Sequence, residues 1–526
     1  MEKRLAVALL ICGLVLGAAL LLIRAGAQNT LSHDDAISYL AATGHMGSYA
    51  TGIPAGRWVP AQAWQAYWTP DRFSIFGQIG RDLARYDIHP PLYFWLLHVW
   101  IQVTGVRLNA GPLLDTIFLL LGAWIIALAC RLARCSWGAS TLAAVMWLLS
   151  GATLSAAGET RQYGLLGLSV IGLTASLLLF LDRRSLAAAL LVYAIATAGL
   201  LVHYQFAAVL ALGVLVAAIL LARGRQWRAV AFLFAASAAA GITFFVLHPT
   251  FMGSFAMQRE QAVPFAWSDI PYRITQILNA LFEQVMLPRM ALALGDAAGK
   301  HWVIFLVFLL ATGLAAWLIS RRRPAASRPS LTDGEAFLLI FTTVTFLLIC
   351  AMYIFQISPR HAMGAQYLMA VSPLLFMTGA KVFDRLAGTI RWQPVLILAL
   401  IAYQAAYGGW TTFAQVRSAA AEHSPAALDS GSPILLDSVT RGVLPTVLWH
   451  APASTPVYAA MQDDLLGSFP QIPGDVQRLV YVSVLRYGND AGKQGRVLEQ
   501  LAAQGFRSVA RRGSVYGVGE IFELSR

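Results

Sequence analysis

Eleven apolar segments of about twenty residues recur along this 526-residue chain and constrain its fold more than any other feature. Each is a candidate membrane-spanning helix, because about 20 apolar residues are needed to cross the hydrocarbon core of a bilayer. Charged residues make up 12% of the chain, whereas soluble domains carry about 25%. The pattern predicts a mainly α polytopic membrane protein and excludes a disordered chain, a disulfide-rich scaffold and an ordinary soluble enzyme. The predicted spans are 5–23, 112–131, 138–157, 161–181, 186–202, 205–222, 229–247, 301–320, 335–355, 362–380 and 394–412.

The basic residues orient these spans. If the N-terminus is cytoplasmic, sixteen lysines and arginines fall at the N-terminus and in alternate loops, as the positive-inside rule requires. The short loops on the opposite side hold Arg161 and Arg360 and little else. Much of the net charge of +12 is therefore a topology signal, and no nucleic-acid partner is expected. We predict an integral protein of a bacterial inner (plasma) membrane whose first segment is an uncleaved anchor.

Three hydrophilic parts are expected on the extracytoplasmic side. Two are loops, at 24–111 and 248–300, and the third is the tail at 413–526. We therefore divide the chain into a membrane domain, 1–412, which includes both loops, and a C-terminal extracytoplasmic domain, 413–526. Strand-like runs at 479–485 and 520–524 flank a helical run at 496–503 that ends before Gly505, so the tail is predicted to be a small α/β domain.

Three further stretches suggest helices that do not cross the bilayer. Residues 90–105 are apolar but too short for a span, so we predict a half-inserted or interfacial helix there. Apolar residues recur every three or four positions over 73–86 and 270–285, which is typical of helices lying on a membrane surface.

Five polar clusters all fall on the predicted extracytoplasmic side. Polar side chains at membrane depth are costly, so clusters of them are candidate functional sites. The clusters are His33-Asp34-Asp35, Asp87-Ile88-His89, Glu159-Thr160-Arg161-Gln162-Tyr163, His203-Tyr204 and Pro359-Arg360-His361.

The acidic clusters have a structural reading beside the functional one. Asp34 or Asp35 could act as a general base, or the segment could simply cap a helix through Ser32 or Asp34. Asp87 and His89 could contact a phosphate or a hydroxyl, or form the turn that starts the next helix at the following prolines.

The basic clusters also have more than one interpretation. Arg161 could pair with Glu159 or bind an anionic headgroup. His203 could be a satisfied structural residue. Arg360 has no acidic neighbour in its loop, which favours an anionic partner from elsewhere.

Neither a metal nor a cofactor is expected from the sequence. The four cysteines lie in or beside apolar segments without metal-ligand spacing, and the chain has no Asp-x-Asp motif or histidine cluster. A divalent metal could assist in place of arginines, but no pattern supports one.

The order of these motifs resembles the polytopic GT-C glycosyltransferases. Within this group the chain is most similar to glycosyltransferase family 39, the protein mannosyltransferase-like enzymes, which include the enzymes that add aminoarabinose to lipid A. The resemblance covers roughly residues 1–380 and implies transfer of a sugar from a polyprenyl-phosphate donor to an acceptor, with inversion. The motifs that carry it are an acidic pair followed by HPPLYFWLLHVW, GETRQYGLLGLS, LLVHYQF and SPRH.

The resemblance also implies site residues. The family's acidic pair falls on Asp34 and Asp35, with Asp34 as the expected base. Arg161 and Arg360 are the expected clamp on the donor phosphate. The loop from Thr43 to Tyr86 matches nothing in the family, and we expect it to set the choice of acceptor. The remaining substrate-binding candidates are Asp87, His89, Glu159, Tyr163, His203, Tyr204 and His361, which stands where the family often has tyrosine.

Other functions remain open at this stage. The main alternative is a membrane transporter or flippase for lipid-linked sugars, and a less favoured one is a polysaccharide polymerase or ligase of unrelated fold. A transporter should bury charges near the bilayer centre and show repeats or broken helices, whereas the spans here hold few charges and no repeat is visible. The sugar is not specified, and the acceptor could be a lipid, a glycan or a protein.

Overall fold

The computed structural model describes residues 2–260, 266–286, 331–356, 363–387, 392–421, 428, 430–485, 489–515 and 519–526. The predicted span at 301–320 and the predicted site residues Arg360 and His361 lie outside these residues.

Helices make up most of the described chain before the tail. The first fourteen are α1 (Lys3–Gly26), α2 (His33–Ala42), α3 (Met46–Gly52), α4 (Ala61–Gln65), α5 (Phe76–Tyr86), α6 (Leu92–Thr104), α7 (Ala110–Leu132), α8 (Trp137–Leu148), α9 (Gly151–Ala156), α10 (Tyr163–Arg183), α11 (Leu186–Leu200), α12 (Gln205–Arg223), α13 (Trp227–Leu247) and α14 (Phe251–Glu260). Four more follow: α15 (Ile270–Phe282), α16 (Asp333–Gln356), α17 (Ser372–Ala387), which a 3-10 helix at Ala365–Ala370 precedes, and α18 (Gln393–Ala421).

Seven of the described helices are long and apolar enough to cross a membrane, and α6, α8 and α11 are shorter apolar helices. The seven are α1, α7, α10, α12, α13, α16 and α18. Helix α10 is the most buried of them, because glycines on its surface let its neighbours approach closely. At Gly164, for example, an added Cβ would lie 2.7 Å from the Asp115 carboxylate of α7.

Two predicted spans differ from the structure. The prediction of a single helix over 138–157 was wrong, because the chain forms two helices there, α8 and α9. The helix is interrupted at Ser150, which caps α9 by accepting a hydrogen bond from the Thr153 N–H. The span predicted over 362–380 is shifted towards the C-terminus. Helix α17 begins at Ser372, where Pro373 suits the first turn of a helix, and continues to Ala387.

The predicted non-spanning helices are present. The stretch 90–105 forms α6, whose 13 residues give a length of roughly 20 Å, against roughly 30 Å for a bilayer core. The two amphipathic stretches form α5 and α15. The depth of these helices in the membrane stays a prediction.

The tail forms five strands of a six-stranded sheet, and the strand, helix and final strand predicted there are confirmed. Its strands are β2 (Ile434–Leu436), β3 (Pro456–Ala459), β4 (Arg478–Ser483), β5 (Arg507–Val515) and β6 (Gly519–Ser525), and its helices are α19 (Leu444–Leu448), α20 (Gln462–Gly467) and α21 (Ala491–Ala503). The parallel strands β3, β2 and β4 form the centre of the sheet, and β6 and β5 follow antiparallel on one side.

The sixth strand comes from the other end of the chain. Strand β1 (Trp58–Pro60) lies in the first loop and pairs antiparallel with β3 at the sheet edge. Helix α18 also runs nine residues beyond 412, the boundary predicted for the membrane domain. The division into 1–412 and 413–526 stays a prediction, but the sheet takes strands from both parts. Helix α1 ends at one end of the helical bundle, and this sheet packs against the same end. We call it the "sheet end" of the bundle.

Candidate active site

The described site candidates gather at the sheet end because each lies in a short connection between helices there or in the first turn of the helix that follows. Asp34 and Asp35 are in the first turn of α2, and Asp87 and His89 lie between α5 and α6. Glu159 and Arg161 connect α9 to α10, which begins at Tyr163, and His203 and Tyr204 connect α11 to α12.

The two acids of the first cluster have different environments. Asp35 is only 1% exposed and completes a capping box with Ser32: its carboxylate accepts the Ser32 N–H at 2.9 Å, and its own N–H donates to Ser32 Oγ at 3.1 Å. Its second oxygen accepts the Thr160 N–H. Burial raises the pKa of Asp35 despite these bonds. The Asp34 side chain, in contrast, is 42% exposed, so only Asp34 has a carboxylate open to a substrate.

The capping role of Ser32 predicts a loss of stability in Ser32→Ala. The variant leaves the Asp35 N–H without its acceptor and should lower the free energy of unfolding by about 1 kcal/mol. Thermal unfolding in detergent measures this loss. Ser74→Ala, an exposed serine of the same loop, is the control, and equal unfolding midpoints for the two variants would contradict the cap.

Arg161 lies at the centre of the site. It is 7% exposed, its Nε lies 3.7 Å from Asp34 Oδ2, and its Nη1 donates to Ser38 Oγ at 3.4 Å. Burial works against its charge, but Asp34, Asp87 and Glu159 outweigh burial and raise the pKa of Arg161. Its Nε has no hydrogen-bond partner among the described residues. Arg161 is therefore a permanent cation beside the exposed Asp34 carboxylate.

Asp87 and His89 form a bonded pair. His89 Nδ1 lies 2.6 Å from Asp87 Oδ1, which also accepts the Ile88 N–H at 2.6 Å. Burial alone would raise the pKa of Asp87, but His89, Arg161 and Arg441 hold it well below its usual range. The Asp87 carboxylate is therefore ionised and fixes the orientation of the His89 ring.

His203 faces this pair. Its ring centroid lies 6.1 Å from that of His89 and 6.4 Å from that of Tyr163. Its Nδ1 accepts the Gln205 N–H at 3.1 Å, so Nε2 carries the proton of the neutral ring. Burial, with His89 and Arg161, lowers the pKa of His203 to about 3, and the ring is neutral at pH 7. The hydroxyl of Tyr204 is instead bonded to His248 at 3.1 Å.

Glu159 adds a titratable acid beside Arg161. It accepts a hydrogen bond from Gln366 Nε2 at 2.9 Å. Burial, reinforced by the nearby Asp35 and Asp34, raises the pKa of Glu159 to about 8. At neutral pH the Glu159 carboxyl is therefore mostly protonated.

Sequence reasoning missed three residues around the site. Asp115 is fully buried in α7 and accepts a hydrogen bond from the Tyr93 hydroxyl at 3.0 Å; an acid inside a predicted span was the available signal. Gln366 and Arg441 carried no signal, since both reach the site from distant parts of the chain. In the described part of the chain, no group of three or more His, Cys, Asp or Glu side chains could hold a metal ion.

Solved structures with a similar fold exist, although no family model and no curated protein matches the chain. ArnT from Cupriavidus metallidurans, solved bound to undecaprenyl phosphate, aligns over 99% of this chain and 98% of its own, with a TM-score of 0.55 and 13% identity. The Archaeoglobus fulgidus oligosaccharyltransferase tethered to an acceptor peptide aligns over 86% of this chain and 64% of its own, with a TM-score of 0.47 and 13% identity. The likeness to ArnT is one of fold, and the chain accordingly has the GT-C fold of polytopic membrane proteins.

Proposed function

We propose that this protein is an inverting glycosyltransferase that moves a sugar from a polyprenyl-phosphate donor to an acceptor on the extracytoplasmic face of the membrane. The observation that carries the proposal is the exposed Asp34 carboxylate beside the buried Arg161 guanidinium, at the sheet end of a GT-C fold. An undecaprenyl phosphate bound to ArnT supports a lipid-phosphate donor.

In the proposed reaction Asp34 is the general base. Its carboxylate takes the proton of the acceptor hydroxyl or amine as that group attacks the anomeric carbon. The bond from the anomeric carbon to the phosphate oxygen breaks on the opposite side, and its electron pair leaves with polyprenyl phosphate. One direct displacement inverts the anomeric carbon and needs no covalent sugar–enzyme intermediate.

Arg161 would stabilise the phosphate charge that grows as this bond breaks. A buried guanidinium that stays charged is suited to charge-assisted hydrogen bonds with phosphate oxygens. Arg360 stays in the proposal as a second clamp residue. The neutral His203 Nε2–H and the oriented His89 ring would bind hydroxyl groups of the sugar.

The acceptor would approach through a groove beside the site. A groove of about 740 Å³ lies between α3, α5 and the start of α14, and Tyr86, the residue before Asp87, is part of its wall. Most of its lining comes from the first loop, which fits the expectation that residues Thr43 to Tyr86 set the choice of acceptor. Arg81 and Arg85 line the same groove.

From the titration of the Glu159 carboxyl we predict how donor binding depends on pH. Below pH 8 its carboxyl is mostly neutral, and above this pH its negative charge competes with the donor phosphate for Arg161. The affinity for polyprenyl phosphate should therefore fall as the pH rises through about 8, by about tenfold for one unscreened like charge. Dissociation constants measured from pH 6.5 to 9.5 test this. Glu159→Gln should remove the pH dependence, and identical curves for variant and wild type would contradict it.

The proposed function is tested by incubating purified protein with a panel of polyprenyl-phosphate sugars, with and without a membrane extract as acceptor source. The readout is free polyprenyl phosphate. Release that requires the extract supports glycosyl transfer. Donor binding without release, under any acceptor, would contradict transfer and favour the transporter function. Failure to bind any carrier would contradict both.

A further inference from the structure

One loop of the C-terminal sheet reaches the candidate active site. Residues 437–443 connect β2 to α19, and we call them the β2–α19 loop. The Arg441 side chain donates from Nη1 to the carbonyl oxygen of Tyr86, next to Asp87. The neighbouring Gly442 packs on His33, next to Asp34, so closely that an added Cβ would lie 1.9 Å from the His33 ring. The loop therefore contacts both acidic clusters of the site.

The β2–α19 loop is rigidly held at its start. Asp437 is fully buried, and its carboxylate accepts hydrogen bonds from Tyr481 Oη at 2.8 Å, Ser483 Oγ at 2.9 Å and the Val484 N–H at 2.7 Å. Gln462 Nε2 donates a fourth bond at 3.0 Å. A buried carboxylate with four donors fixes the backbone from which the loop projects.

The first loop and the sheet hold each other in register. Besides the pairing of β1 with β3, the Tyr49 hydroxyl donates to the Val439 carbonyl at 2.8 Å, within the β2–α19 loop. Gln65 Nε2 donates to the carbonyls of Leu448 and Ala451, at 3.0 and 2.8 Å. The sheet is therefore part of the same packed unit as the site, and its loop cannot move away without breaking these bonds.

We propose that the β2–α19 loop is a wall of the active site and that Arg441 is a positioning residue for the turn from Tyr86 to His89. This inference rests on the proposed function. A guanidinium bonded to the Tyr86 carbonyl fixes the peptide that precedes Asp87, and its charge favours the ionised Asp87 carboxylate that orients His89. The tail thus contributes to the sugar-binding side of the site without touching the reacting atoms.

The test compares Arg441→Ala and Arg441→Lys with the control Arg507→Gln. Arg507 is an exposed arginine on β5, an edge strand of the same sheet. We expect Arg441→Ala to lower kcat by about tenfold or more, the effect of losing one charged hydrogen bond. Arg441→Lys or added methylguanidinium should restore part of the rate, because either returns a cation to the carbonyl. Amide exchange at Ile88, whose N–H donates to Asp87, should rise in Arg441→Ala only.

Unchanged kcat in Arg441→Ala would overturn the proposal. So would a joint loss of activity and thermal stability that neither lysine nor methylguanidinium reverses, since that result indicates a merely structural role. If the wild-type protein releases no polyprenyl phosphate, the proposed function fails instead. The Ile88 exchange rate then decides the positioning role by itself: a rise in Arg441→Ala supports it, and an unchanged rate overturns it.

Discussion

Asp34→Asn is expected to abolish sugar transfer while leaving the fold intact. A positioned general base contributes about 10²- to 10⁴-fold to a rate, and the asparagine amide cannot accept the acceptor's proton. Donor binding should be as strong as in the wild type or stronger, because the substitution removes the anion that lies 3.7 Å from Arg161 Nε. Turnover and polyprenyl-phosphate affinity, measured on the same preparation, give both quantities.

The matched control for this variant is Asp71→Asn. Asp71 belongs to the same loop region, its side chain is 71% exposed, and it contacts His45 rather than the site arginine. We expect turnover close to that of the wild type. Normal turnover by Asp34→Asn, or an equal loss in Asp71→Asn, would remove Asp34 as the base.

Arg161→Gln is expected to weaken donor binding at least tenfold. A charged hydrogen bond contributes about 1.5–3 kcal/mol, and the variant loses the buried cation on which Asp34, Asp87 and Glu159 all act. The Asp34 carboxylate then loses its ion-pair partner, so thermal stability should fall as well. Arg161→Lys should bind the donor with intermediate affinity, because an ammonium keeps the charge but not the bidentate geometry.

Arg107→Gln provides the control for charge loss at the same end of the bundle. Arg107 is exposed in the loop before α7, and its removal should leave donor affinity unchanged. Equal affinities for Arg161→Gln and the wild type would exclude Arg161 from the phosphate site. Equal losses in both arginine variants would indicate a general effect of charge rather than a clamp.

Local pattern was sufficient to predict most of the helices. Long apolar runs have only one way to satisfy their backbone in a bilayer, which is why α1, α7, α10, α12, α13, α16 and α18 fall where sequence places them. Helix α21 also follows from its own periodicity and from Gly505, whose φ of 91° suits the residue after a helix end. The sidedness of the polar clusters predicted the end of the bundle at which the described site residues meet.

Features decided by distant contacts could not be predicted. Asp34 and Asp35 are indistinguishable in sequence, and the Thr160 N–H, 125 residues away, helps to bury one of them. Strand β1 has three residues without a strand-like alternation, and it becomes a strand only because β3 lies beside it. Arg441 lies in a tail without any motif and reaches Tyr86 across 355 residues of chain. The break at Ser150 had a local signal, a capping residue inside the apolar run.

A structure of the protein with bound polyprenyl phosphate would test the central claim most directly. The account predicts the phosphate within hydrogen-bond distance of the Arg161 guanidinium. It also predicts the Asp34 carboxylate across the space for the sugar, on the side opposite the phosphate, as in-line displacement requires. A phosphate bound away from Arg161, or one so close to Asp34 that no sugar fits between them, would contradict the proposed site and its inverting mechanism.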